Sequence, residues 1–235
     1  MKFTRSLYII IVLVMSMMLF CGCQTEPVAG EEMILTARQE YVLLDSARVD
    51  VINDETGESE QIFIFKYDEK DMMTYSYIGI GDGLYIAQYN NGYEQFTDDN
   101  GVYSFAKPGD DNFAAYSRDV PYPYADEGLI LFYKSAVNEE LSYIAENDMA
   151  TEICHVYNIE ELSDTETVGT MTGFCVKYFF DGEGNLLYLK EITDVKLDDG
   201  TKKTYSYSIY ITERNAVDSV PNVVKIPDVD PDTMA

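Results

Sequence analysis

A single histidine, no tryptophan and few basic residues set the first limits on this chain of 235 residues. With only His155 available, histidine metal clusters and catalysis by a histidine pair are excluded, and no serine stands in a Gly-x-Ser-x-Gly elbow. A lone histidine in a strand beside aromatic residues reads as a packed side chain. The 16 basic residues face 42 acidic ones, a formal charge of -26, which argues against nucleic acid and against docking by charge on anionic lipid. Absence of tryptophan removes the usual stacking platform for sugars, although tyrosine can stack in its place. Gly79-Ile80-Gly81 and Gly81-Asp82-Gly83 lack the further glycine and the helix that a phosphate loop requires, so they read as turns. Asp181, Glu183 and Asn185 have the alternate spacing of a calcium loop, but Leu186 stands where an EF-hand needs glycine. Adjacent acids such as Glu139-Glu140 and Glu160-Glu161 carry no glycosidase signal in so acidic a chain. These absences predict a protein that is not an enzyme, with no catalytic residue, metal or cofactor.

The N-terminus has basic Lys2 and Arg5, an apolar run from Leu7 to Phe20, and then Cys21-Gly22-Cys23. This is the layout of an export signal rather than part of a fold. As a helix the run would span about 21 Å, short of the roughly 30 Å hydrocarbon core of a bilayer. Phe20-Cys21-Gly22-Cys23 resembles a bacterial lipobox, with phenylalanine where leucine is usual and the small-Gly-Cys end intact. The resemblance implies a signal peptide over 1–22 and a lipid-modified Cys23, a thioether-linked anchor with palmitate-type chains. An ordinary cleaved signal and an uncleaved anchor are the other readings. Removing Lys2 and Arg5 from the 16 basic residues leaves 14 against 42 acidic ones, a formal charge of -28 on the mature chain. Residues 23–30 read as a tether that lifts the domain off the membrane. The expected place is the cell membrane, lipid-anchored and facing the extracytoplasmic side.

Beyond the tether, Ile34, Ala37, Tyr41 and Leu44 recur at helical spacing, with Glu31 and Glu32 at the favourable end of the helix dipole. This predicts an N-terminal helix. Strand patterns then alternate with turns: 47–52, 61–67, 73–79, 84–89, 93–97 and 102–106, joined by acidic and glycine-containing connectors. Such short spacing favours an antiparallel sandwich, barrel or curved sheet over parallel βαβ units. Pro121-Tyr122-Pro123-Tyr124 holds the chain extended. Leu129 to Tyr133 form an apolar run, and Val137, Leu141 and Ile144 could make a helical face, so 125–146 reads as a partly helical cover for the sheet; one more buried strand is the other reading. A strand over 152–159 precedes a meander of three long strands, 171–180, 186–197 and 202–211, separated by Asp181-Gly182-Glu183-Gly184-Asn185 and Asp198-Asp199-Gly200. Tyr205, Tyr207, Ile209 and Ile211 alternate with Thr204, Ser206 and Ser208, the period of a sheet covered on one face. Residues 31–226 are expected to form one domain whose end is an edge segment, and 227–235 a disordered tail.

If strands 152–159 and 171–180 pair about Asp164-Thr165, Cys154 lies directly opposite Cys175, within disulfide reach, the alternative being two packed thiols. The same register sets His155 opposite Phe174 and Tyr157 opposite Thr172. It predicts a dry face of His155, Tyr157, Phe174, Val176 and Tyr178, continued by Tyr205 and Tyr207, with Leu129, Ile130 and Phe132 packed towards it. That face is a candidate groove for an apolar ligand. A cover that fills it completely, giving an ordinary core, is the alternative.

The order of a lipobox, an N-terminal helix, antiparallel strands, an apolar cover and a final meander resembles the LolA-like half-barrel lipoproteins, including LppX-type lipid-binding lipoproteins. The resemblance covers roughly 31–226 at the level of element order. It implies a mainly β (α+β) fold, a curved antiparallel sheet or half-barrel with an N-terminal helix and a partly helical plug over its concave face. It also implies a groove for a lipid, lipopeptide or other apolar ligand. The alternative is a non-enzymatic interaction or envelope-sensor lipoprotein with a self-filled core, whose protein partner the sequence leaves unnamed.

Overall fold

A computed structural model describes residues 27–69, 71–147, 149–162 and 169–224. The expected signal, Cys23, the first residues of the tether and the 227–235 tail lie outside the described residues.

One helix, α1 (Glu31–Val42), precedes six strands: β1 (Ser46–Asn53), β2 (Ser59–Asp68), β3 (Asp71–Gly81), β4 (Leu84–Asn90), β5 (Gln95–Asp99) and β6 (Val102–Ala106). A long crossing segment follows, and then β7 (Tyr143–Glu146), β8 (Ala150–Val156), β9 (Thr170–Asp181), β10 (Leu186–Lys196) and β11 (Lys202–Thr212). All pair antiparallel in one sheet of order β6-β5-β4-β3-β2-β1-β11-β10-β9-β8-β7. The sheet is curved and open, a half-barrel, because its two end strands do not meet. Its two hairpin series are joined by β1 and β11, where Val49 faces Ile211, Val51 faces Ile209 and Asn53 faces Tyr207.

The meander follows the expected boundaries closely. Gly184 at φ 88° and Gly200 at φ 84° occupy backbone that disfavours a side chain, and they end the two hairpins. Asp181 accepts hydrogen bonds from the backbone of Glu183 and Asn185 and from the Asn185 amide, so the acidic turn is held by its own chain.

The concave face carries the main core. Phe63 and Phe65 of β2, Val176, Tyr178 and Phe180 of β9, Leu189 of β10, and Ile209 and Ile211 of β11 form it with Ile34, Ala37 and Tyr41 of α1. Those helical positions are the ones the spacing predicts, and Leu44 packs beside them from beyond the helix end. Gly30 stands immediately before α1 at φ 66°, and a Cβ there would lie 2.3 Å from Cδ1 of the fully buried Ile153. Backbone strain and overpacking both oppose a side chain at this point. Gly30→Ala should cost about 2 kcal/mol in urea unfolding, whereas a loss near zero would mean that the helix start shifts freely.

Three expectations are corrected. The cover is helical in part, in short 3-10 turns at Pro123–Ala125, Glu127–Leu129 and Lys134–Ala136, but the helical face expected of Val137, Leu141 and Ile144 does not form. Leu141 and Ile144 are exposed rather than on a packed helical face, and residues 143–146 instead form an edge strand on β8. Residues 213–224 are not an edge segment: Val217 and Val220 pack on Ile64, and Val224 packs with Ala87 and Phe96, so this stretch crosses the convex face of the first strands. Lys66 fixes this path by donating to the carbonyls of Val217 at 3.0 Å and Asp218 at 2.7 Å.

The third correction is register. Cys154 faces Lys177, His155 faces Val176, and Val156 faces Cys175, two residues away from the predicted pairing. Tyr157 lies beside Phe174, whose carbonyl accepts its backbone N–H, rather than opposite Thr172. A shift of two preserves which face each side chain occupies, so the dry face survives while the directly opposed cysteine pair does not. Cys154 and Cys175 become diagonal neighbours rather than a directly opposed pair. Both thiols are free. The hydrogen bond between them, with Lys177 near by, draws Cys154 down to about 7, while the same bond and burial push Cys175 up.

Candidate groove beneath the cover

The cover is tied to helix and sheet by polar contacts that fix its height. Tyr41 of α1 donates to the Tyr124 carbonyl, and the Tyr124 hydroxyl donates to Gln61 of β2. Tyr178 of β9 donates to the carbonyl of Leu131, and its hydroxyl lies 3.3 Å from that of Tyr157. Arg38 adds an ion pair to Glu127 at 3.3 Å, and Lys134 of the cover pairs with Glu31 at 2.8 Å.

At the β8–β9 end this arrangement is filled. Ile130, His155, Val176, Tyr178 and Tyr157 are buried, with Phe132 and Phe174 packed against them. Phe132 lies 5.6 Å from the His155 ring, and Tyr157 lies 5.4 Å from Phe174. His155 Nε2 donates to the Ala29 carbonyl at 2.6 Å, leaving the buried Nδ1 without a partner among the described residues. Burial lowers its pKa, which favours the neutral ring. His155 therefore belongs to the core and anchors the segment before α1.

Towards β1 and β11 the cover stands clear of the sheet and leaves a groove of about 610 Å³. Its floor comes from Val51 of β1, Gln61 of β2, Glu191 of β10, and Tyr207 and Ile209 of β11. Tyr124, Leu129 and Leu131 form the roof. Strand register explains the floor: Gln61 faces Val51, Val51 faces Ile209, and Tyr207 faces Glu191. A second opening of about 750 Å³ adjoins at Glu60 and Tyr207, between the β3–β4 tip and β10–β11, and Tyr205 lines that part.

Of the predicted groove residues, Leu129 and Tyr207 line the groove and Tyr205 its adjoining opening. Ile130, Phe132, His155, Tyr157, Phe174, Val176 and Tyr178 instead make the packed wall. The residue sequence reasoning missed is Glu191. Its side chain points inward with Leu189, since Lys190 between them points outward to Asp54 at 3.1 Å. Burial pushes the Glu191 carboxyl up to about 7. No hydrogen bond or ion pair reaches it from the described residues. Burial also raises the Tyr124 hydroxyl, and that of Tyr178 well above the ordinary tyrosine range; the charge of Glu191 adds to both.

No family model and no curated protein matches the chain. Among solved structures, the crystal structure of LprF from Mycobacterium bovis superposes with a TM-score of 0.45 at 10% identity, over 83% of this chain and 96% of that one.

Proposed function

We propose that this protein is a membrane-anchored extracytoplasmic lipoprotein of the LolA-like half-barrel kind, and that it binds a lipid, lipopeptide or other apolar ligand without chemistry. The observation that carries this reading is the groove of about 610 Å³ between cover and sheet, with Val51, Leu129, Leu131 and Ile209 in its lining. That volume lies within the range of small-molecule sites, and a mostly apolar wall with a few polar tips is their usual chemistry. The alternative, an interaction or sensor lipoprotein with a self-filled core, accounts for the packed β8–β9 end. It leaves the groove over Gln61, Glu191 and Tyr207 without a role.

Leu129→Trp tests the groove: Leu129 packs in the core cluster on one side and lines the groove on the other, so a larger side chain there takes up open volume. Binding of a fluorescent long-chain acyl probe should fall about tenfold or more with little change in melting temperature. Unchanged binding would count against the groove as the site.

Anchoring has its own test at Cys23. Two acyl chains, at about 0.8 kcal/mol per buried CH₂, hold a protein on a membrane where one chain is marginal. Cys23→Ala should abolish incorporation of labelled lipid and release the protein from the membrane fraction. Labelling that persists would move the modification to Cys21.

A further inference from the structure

Glu191 sets a condition on what the groove can hold. Three carboxylates line it, those of Glu60, Asp126 and Glu191, and among the described residues no lysine, arginine or histidine does. Two of the three already have partners. Glu60 accepts from the Asn53 amide at 2.6 Å, and Asp126 accepts from the backbone N–H of Gly128. Glu191 has none among the described residues, although it is half-buried and faces the open volume. A carboxylate placed this way is costly to leave ionised unless a positive or donating group meets it.

We infer that the ligand of this groove is a cationic amphiphile, an apolar chain ending in an ammonium group whose nitrogen pairs with Glu191. The inference rests on the groove reading above and adds its head-group chemistry. An ammonium offers three donors and a full charge, and the bond to a carboxylate is strengthened where water is excluded. The chain would lie along Val51, Leu129 and Ile209. A fatty acid meets the opposite situation, since its own carboxylate would enter among three others and find no cation in the lining.

Proton linkage follows from the same geometry. The ionisable groups near Glu191 are Tyr178 of β9, Tyr207 of β11, Glu60 of β2, and Tyr124 and Asp126 of the cover. None supplies a positive charge, so an incoming ammonium lowers the pKa of Glu191 and expels its proton. Amine affinity should therefore rise with pH through about 7 and level off above it.

The test is calorimetric titration of the whole protein with dodecylamine, dodecanol and dodecanoate, each below its micelle concentration. At about pH 8 dodecylamine should bind about tenfold or more tighter than dodecanoate, and Glu191→Gln should remove most of that preference. Dodecanoate binding as tightly as dodecylamine, or a preference that survives Glu191→Gln, overturns the inference and leaves the groove reading standing. If none of the three probes binds, the groove reading falls as well.

Discussion

Glu191→Gln should stabilise the ligand-free protein at pH 8 and leave it nearly unchanged around pH 4. The carboxyl is raised by burial from 4.5 to about 7, so the folded state holds a proton that the unfolded chain releases earlier. Stability is therefore lost as pH rises from about 4.5 to about 7, by up to about 3 kcal/mol at roughly 1.4 kcal/mol per unit. Glutamine keeps the shape and removes the titration. For a chain of this size the gain corresponds to a rise of about 6–12 °C in melting temperature at pH 8. Glu31 and Glu152 act in the opposite direction, since hydrogen bonds from Lys134 and Lys177 hold them below the usual carboxylate range and their contribution is lost as pH falls. They are common to both proteins, so the difference between the two melting curves isolates Glu191. A variant no more stable than the parent at pH 8 would show that water or a counter-ion reaches the carboxylate.

The parts of the molecule legible in the sequence are those where local chemistry and long-range packing agree. The meander is one: glycine-bearing acidic turns and strict alternation in β11 determine both hairpins and the face that Tyr207, Ile209 and Ile211 share. The β8–β9 register is not legible in the same way, because no tight turn joins these strands. Counting from Asp164-Thr165 assumes a symmetric connection, and one extra pair of residues moves Cys154 from Cys175 to Lys177. The face survives because side chains repeat every two residues. The cover misleads for another reason. An apolar run has no period of its own, and here Ile130 goes into the core, Leu131 into the groove roof and Tyr133 to the surface. The inward position of Glu191 does have a signal, since it shares parity with Leu189 and opposes Tyr207 in the alternating strand. A carboxylate in that position is a departure from the dry face, and such departures are where a site is to be sought. Open volume has no sequence signal at all, because it depends on how high Tyr41, Tyr124 and Tyr178 hold the cover.

The boundary between packed wall and open groove makes two adjacent residues differ sharply. Ile130 is fully buried against the core, so Ile130→Ala leaves a void that its neighbours cannot close, and about 4 kcal/mol should be lost. Leu129 lines the groove, where the space vacated by Leu129→Ala merges with volume already open. Leu129 belongs to the same core cluster, but the void it leaves opens into the groove, so its cost should be about 2 kcal/mol, less than that of Ile130→Ala. Urea unfolding of both variants measures the contrast, provided the slope with denaturant matches the parent. The variants should also separate in binding. Leu129→Ala enlarges the roof and changes the affinity for a chain-bearing probe, whereas Ile130→Ala, measured well below its melting temperature, should leave that affinity near the parent value. Equal stability losses at the two positions would mean that the cover packs down along its whole length in solution. The lipid-binding reading would then give way to that of an interaction module with a filled core.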